Sequence, residues 1–246
     1  MKGLRLRSFG DLSPRALRLM ELVLVLVVAF LSAGIGSVRV LLTGQGAYAG
    51  AHDADASWRV VYVITHQVVG LALLAYVLHR QGRTLADLGT TVVGRDALRA
   101  VGIFLFGVLA FAVCYLAIGG WHAAGRAAGT DAEQVVNPLA GLGVTVGAVT
   151  WVIINPFFEE LLVRAYTMTE VLWLTQSGAL AVLASVAIQA FYHLYQGVPA
   201  ALGHGATFLV FSLYYLKTRR IAPVVLAHLY LDVGALILTA TRGSAR

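Results

Sequence analysis

A chain of 246 residues, 59% hydrophobic, 12% charged and with a net charge of +6, falls outside the ordinary soluble class, in which charged residues typically run near 25%. Its mean hydropathy is +0.80, and several apolar stretches reach the roughly 20 residues that cross a bilayer core. Arg and Lys gather in short segments beside those stretches, so the positive balance reads as membrane topology and not as nucleic-acid binding.

In chain order, Lys2, Arg5, Arg7, Arg15 and Arg18 precede an apolar run over about 22–42. That run is longer than the roughly 7–15 residues of a signal-peptide core, which predicts an uncleaved first span. The hydropathy pattern then predicts spans over 21–42, 60–78, 98–118, 143–172, 178–195, 202–217 and 221–239. The connection 43–58 carries Asp53 and Asp55, and 119–140 carries Asp131 and Glu133 with Arg126 as its one basic residue. The connection 79–99 carries Arg80, Arg83, Arg95 and Arg99, and 217–220 reads Lys217-Thr218-Arg219-Arg220. With the amino terminus in the cytoplasm, seven spans put both basic connections inside and both acidic loops outside. A break near Pro156 would make eight and expose 217–220, against the charge rule; one long helix, tilted or kinked at Pro156, keeps it inside. Arg242 and Arg246 then lie outside, against the same rule.

The expected fold is therefore an all-α polytopic transmembrane bundle of about seven spans, with eight as the alternative. Residues 1–83 form amino-terminal spans and 84–246 a core, integrated in a single bundle. Segment 84–96 is too polar to cross and is expected along the cytoplasmic interface. The single cysteine, Cys114, allows no intramolecular disulfide and no Cys-x-x-Cys site.

Ionisable residues at membrane depth are costly and mark chemistry or transport. Three groups stand out: Glu159-Glu160-Leu161-Leu162-Val163-Arg164, His193, and His228-Leu229-Tyr230-Leu231-Asp232. Glu160 and Arg164 are one helical turn apart and can pair, which assigns them to support. Glu159 points about 100° away around the helix with no local cation. Desolvation suits such a carboxyl to general acid or base work. His228 and Asp232 also share a helix face, the spacing of helical metal sites and of acid/base pairs. His193, among aromatics, gains weight only beside the other two groups. His52, His66, His79 and His122 lack such partners. His204 lies near enough to line a site, but its simpler reading is structural.

There is no His-Glu-x-x-His, no Gly-x-Ser-x-Gly and no phosphate-binding glycine loop in a strand–helix context. The three groups, in this order and spacing, resemble the CPBP family of CAAX-processing and bacteriocin-processing membrane endopeptidases. Its pattern is Glu-Glu-x-x-x-Arg, then Phe-x-x-x-His, then His-x-x-x-Asn/Asp. Thr84-Leu85-Ala86-Asp87-Leu88-Gly89 resembles a segment preceding that family's core, so the likeness covers about 84–239. Two positions depart from the pattern: Gln189 stands in place of the phenylalanine, and Ala165 in place of a common glycine.

The resemblance implies an integral membrane protease of a bacterial plasma membrane, acting on a peptide or membrane-protein substrate within the lipid bilayer. Glu159 and His193 would activate water, His228 and Asp232 would stabilise the oxyanion or help hold a cation, and Glu160 and Arg164 would support them. An ionised Asp232 cannot donate to an oxyanion, so it must be protonated, orient His228 or bind metal. Two histidines with carboxylates suit zinc by ligand type, with Glu159, His193 and His228 as the ligand set; a metal-free, glutamate-dependent hydrolase is the alternative. A non-catalytic membrane scaffold and a proton-coupled transporter are the competing classes. The complete polar set argues against the first, and the absence of an inverted repeat against the second.

Overall fold

A computed structural model describes residues 13–43, 53–126 and 145–243. Expectations about Lys2, Arg5, Arg7, Asp131, Glu133 and Arg246 lie outside the described residues. The described chain forms seven helices: α1 (Pro14–Thr43), α2 (Asp53–Arg80), α3 (Asp96–Arg126), α4 (Val146–Thr175), α5 (Gly178–Tyr192), α6 (Val198–Thr218) and α7 (Ala222–Gly243). No strand occurs among the described residues. This is the all-α bundle read from hydropathy. In α1, α2, α3 and α4 it contains segments long and apolar enough to cross a membrane.

Local sequence explains the helix ends. Ser13, Thr145 and Ser177 each turn a hydroxyl back to a free amide at the start of α1, α4 and α5, which satisfies donors with no intrahelical partner. α5 stops at Tyr192, earlier than hydropathy implied. His193 takes a flatter backbone and Gly197 adopts φ +87° with ψ 154°. That region is essentially restricted to glycine. Pro199 then lies in the first turn of α6, where a missing amide costs nothing.

Pro156 does not divide α4. The helix runs through it and then widens into a π-turn over Glu160–Tyr166. Thr167 Oγ1 donates to Leu162 O at 2.7 Å, and Tyr215 Oη donates to Ala165 O at 3.3 Å. These bonds serve carbonyls in the widened turn. Every residue of Glu160–Tyr166 is buried, which makes this stretch of α4 the centre of the bundle. Wide turns of this kind recur at functional sites.

α3 packs along α6 and α7, α5 packs on α6, and α2 lies against the first half of α4. The outward faces stay apolar: Leu105, Phe106 and Leu116 on α3, Leu183 on α5 and Ile237 on α7 are all exposed. Such surface would be a liability in water and is the ordinary lining toward lipid.

The segment 84–96 does not cross. Leu85–Leu88 forms a 3₁₀ turn closed by Thr84 and Asp87. Hydrogen bonds from the Thr84 amide, and then from its hydroxyl, lower the Asp87 pKa from its ordinary 3.8. Gly89 follows at φ +81°, and its carbonyl accepts from Ile221 N at 3.0 Å. A Cβ there would collide with the Arg219 carbonyl, so glycine lets this turn seat against the start of α7.

Candidate active site

The site is assembled on α4 where the π-turn begins. Glu159 and Glu160 are adjacent yet both buried, and they serve different partners. Glu160 Oε1 accepts from Arg164 Nη1 at 3.0 Å and from His228 Nδ1 at 2.6 Å. The Arg164 pairing expected one turn away is therefore present, and His228 joins it. Arg164 is fully buried, with its guanidinium carbon 4.2 Å from the Phe208 ring centre.

Glu159 is held by neutral donors. Its Oε2 accepts from Gln189 Nε2 at 2.5 Å and from Tyr192 Oη at 2.6 Å. Neither bond involves Oε1. His228 Nε2 lies 4.0 Å from Glu159 Oε2 and 3.6 Å from Asp232 Oδ1. Because a carboxylate only accepts, the bond to Glu160 fixes the hydrogen on His228 Nδ1 and turns Nε2 toward Glu159 and Asp232. Asp232 Oδ2 accepts from Asn155 Nδ2 at 3.1 Å, and Asn155 Oδ1 accepts from Gln67 Nε2 at 2.7 Å. Asp232 is thus braced by α4 and, through Asn155, by α2.

His193 Nδ1 donates to the Gln189 carbonyl at 2.8 Å, which leaves Nε2 as its basic nitrogen. Its ring packs against Tyr192 and His204, with centroids 4.6 and 4.7 Å away. His204 Nε2 bonds to Gln196 Oε1 at 2.6 Å, and His204 packs beside the site without lining its cavity.

A cavity of about 360 Å³ is lined by Glu159, His193, Asn155 and Gln67. Its other wall comes from α1 and the first half of α2, through Phe30, Ser37, Tyr62 and His66. Phe30 stacks on Tyr192 with centroids 5.0 Å apart, and Ser37 Oγ donates to the Tyr192 carbonyl at 2.6 Å. The amino-terminal helices, read from sequence only as hydropathy, therefore build half of the chamber. The sequence reading also passed over Gln67, Asn155 and Tyr192 as site residues. Each stands in a largely apolar run, and its polar side chain there is the one sequence feature that marks it.

Among the described residues, no three His, Cys, Asp or Glu side chains group closely enough to hold a metal ion. Of the expected ligand set, Glu159 Oε2 and His228 Nε2 stand 4.0 Å apart, and His193 Nδ1 is engaged by the carbonyl of its own helix.

Residues 141–234 match the family model described as Rce1-like, type II CAAX prenyl endopeptidase Rce1-like. Over this segment the chain is similar to that family of CAAX-processing endopeptidases. The matched segment holds Glu159, Glu160, Arg164, His193, His228 and Asp232, and excludes the Thr84–Gly89 segment that also carried the resemblance. Neither curated proteins nor solved structures provide a match.

Proposed function

We propose that this protein is an intramembrane endopeptidase of a bacterial plasma membrane that cleaves peptide bonds with water activated by Glu159 and His193. The observation that carries this reading is Glu159 itself: a buried carboxylate on a cavity, held at one oxygen by Gln189 and Tyr192. Its Oε1 takes a proton from water as the water oxygen bonds to the scissile carbonyl carbon. The basic Nε2 of His193 accepts from the same water and orients it. The carbonyl oxygen becomes an oxyanion facing His228 Nε2, which donates to it when the ring is protonated between Glu160 and Asp232. Asp232, held by Asn155, orients His228 and does not itself donate. The proton on Glu159 then passes to the leaving nitrogen as the C–N bond breaks.

The family description supports a substrate ending in a prenylated Cys-aliphatic-aliphatic-X sequence, and the apolar surroundings of the chamber suit a lipid-modified peptide. The test is cleavage of a farnesylated peptide of that form, beside its unmodified counterpart, by purified protein in micelles, with Glu159→Gln as control. The expected result is release of the three terminal residues by the wild type alone. Equal cleavage by Glu159→Gln would sink the mechanism. Cleavage of the unmodified peptide alone would keep the protease and reject the prenyl substrate.

A further inference from the structure

Gln189 stands four residues before His193, where the family pattern has phenylalanine. Here the side chain is fully buried and engaged at both ends. Its Oε1 accepts from Arg164 Nη1 at 2.7 Å, its Nε2 donates to Glu159 Oε2 at 2.5 Å, and its backbone carbonyl takes His193 Nδ1 at 2.8 Å. One residue thus touches the base, its partner histidine and the buried cation.

The chemistry of the neighbours fixes which way the amide points. A guanidinium only donates and an ionised carboxylate only accepts, so a group bridging them needs one acceptor and one donor a fixed distance apart. A glutamine amide meets that need without adding charge. A phenylalanine would meet neither half. Arg164 has two further nitrogens, Nε and Nη2, with no hydrogen-bond partner among the described residues, so each acceptor it has counts.

We propose that Gln189 is a positioning residue of this site. It pins Glu159 Oε2 beside Tyr192 so that Oε1 faces the cavity, and it couples that carboxylate to Arg164, with which Glu159 forms no ion pair. The charged pair Glu160–Arg164 thereby acts on the base through a neutral relay, by charge-assisted hydrogen bonds at both ends. The inference rests on the endopeptidase reading.

Two substitutions separate this role from simple packing. Gln189→Glu keeps an acceptor for Arg164 and places a second acceptor against Glu159. Gln189→Met keeps the length and removes both bonds. Both are assayed as purified full-length protein on the farnesylated peptide, with melting temperature measured on the same samples. Gln189→Glu is expected to lose kcat on the order of 10²-fold per folded molecule, with KM changed by less than about threefold and a lower melting temperature from the second buried carboxylate. Gln189→Met is expected to lose both kcat and melting temperature. Wild-type kcat in Gln189→Glu, or a lowered melting temperature with unchanged kcat per folded molecule in both variants, overturns the proposal and leaves Gln189 a packing residue. Absence of cleavage by the wild type overturns the functional reading and this inference together, and the wild-type sample tells that outcome from the others.

Discussion

Two sets of carboxylates, buried except for the partly exposed Asp232, sit in this bundle, and their partners differ. At the basic end, Glu21 pairs with Arg80, Glu170 with Arg83 at 2.6 Å and Arg18 at 3.5 Å, and Asp96 with Arg99 at 2.9 Å and Arg220 at 2.8 Å. Each carboxylate has at least one arginine, and those arginines are 18–41% exposed. In the centre, Glu159, Glu160 and Asp232 gather around Arg164 and His228, and Arg164 is fully buried. Glu159 has no arginine or lysine within 4.0 Å among the described residues and is held by an amide and a phenol. A carboxylate matched by its own cation is fixed as structure. One held at a single oxygen by neutral donors beside a cavity leaves its other oxygen outside those bonds.

Breaking the central set should cost the most. Glu159→Gln should lower turnover on the order of 10²–10⁴-fold, the usual scale of general-base loss, with a melting temperature close to the wild type. A variant that folds and retains full activity would erase the distinction between the two sets. Arg164→Ala strands Glu160 and the Gln189 oxygen together. Loss of one partner of a buried pair costs roughly 3–5 kcal/mol, to be read as a large drop in melting temperature or in membrane yield. Glu160→Gln combined with Arg164→Met should recover much of that loss, since no unpaired charge remains and the glutamine oxygen can still accept from His228. If Arg164→Ala is as stable as the wild type, Arg164 belongs to the chemistry and not to its support.

A smaller effect tests how packing holds the centre. A Cβ on Gly70 of α2 would stand 2.6 Å from Phe158 Cε2, and Phe158 directly precedes Glu159. Gly70→Ala should therefore cost about 1–3 kcal/mol by overpacking and lower kcat through displacement of α4. An unchanged kcat would mean that the base is positioned by its hydrogen bonds alone. The smallest effect belongs to the basic end. Arg99→Gln leaves Asp96 with Arg220 and removes a half-exposed partner, so the loss should be about 0–1 kcal/mol, with turnover unchanged. A loss comparable to that of Arg164→Ala would show that both carboxylate sets are equally structural.

Much of this molecule is written in one dimension. The apolar runs set the helices because a backbone in lipid must satisfy its own hydrogen bonds, and the i, i+4 spacing of Glu160 and Arg164 set their pairing. Glu159, His193, His228 and Asp232 drew attention because ionisable groups are rare in such surroundings. Their partners were not legible. Gln189 reads in sequence as a departure from a motif, and only its place between Arg164 and Glu159 makes it a bridge. Gln67, Phe30 and Ser37 lie more than a hundred residues from His193 and carry no spacing signal, yet they line its cavity. The sequence by itself determined which residues are polar where water is scarce, because the cost of burying charge is a property of each side chain. Only the tertiary structure decided which carboxylate receives the arginine and which receives neutral donors, because that depends on how the π-turn of α4 aims Glu159 and Glu160 toward different neighbours.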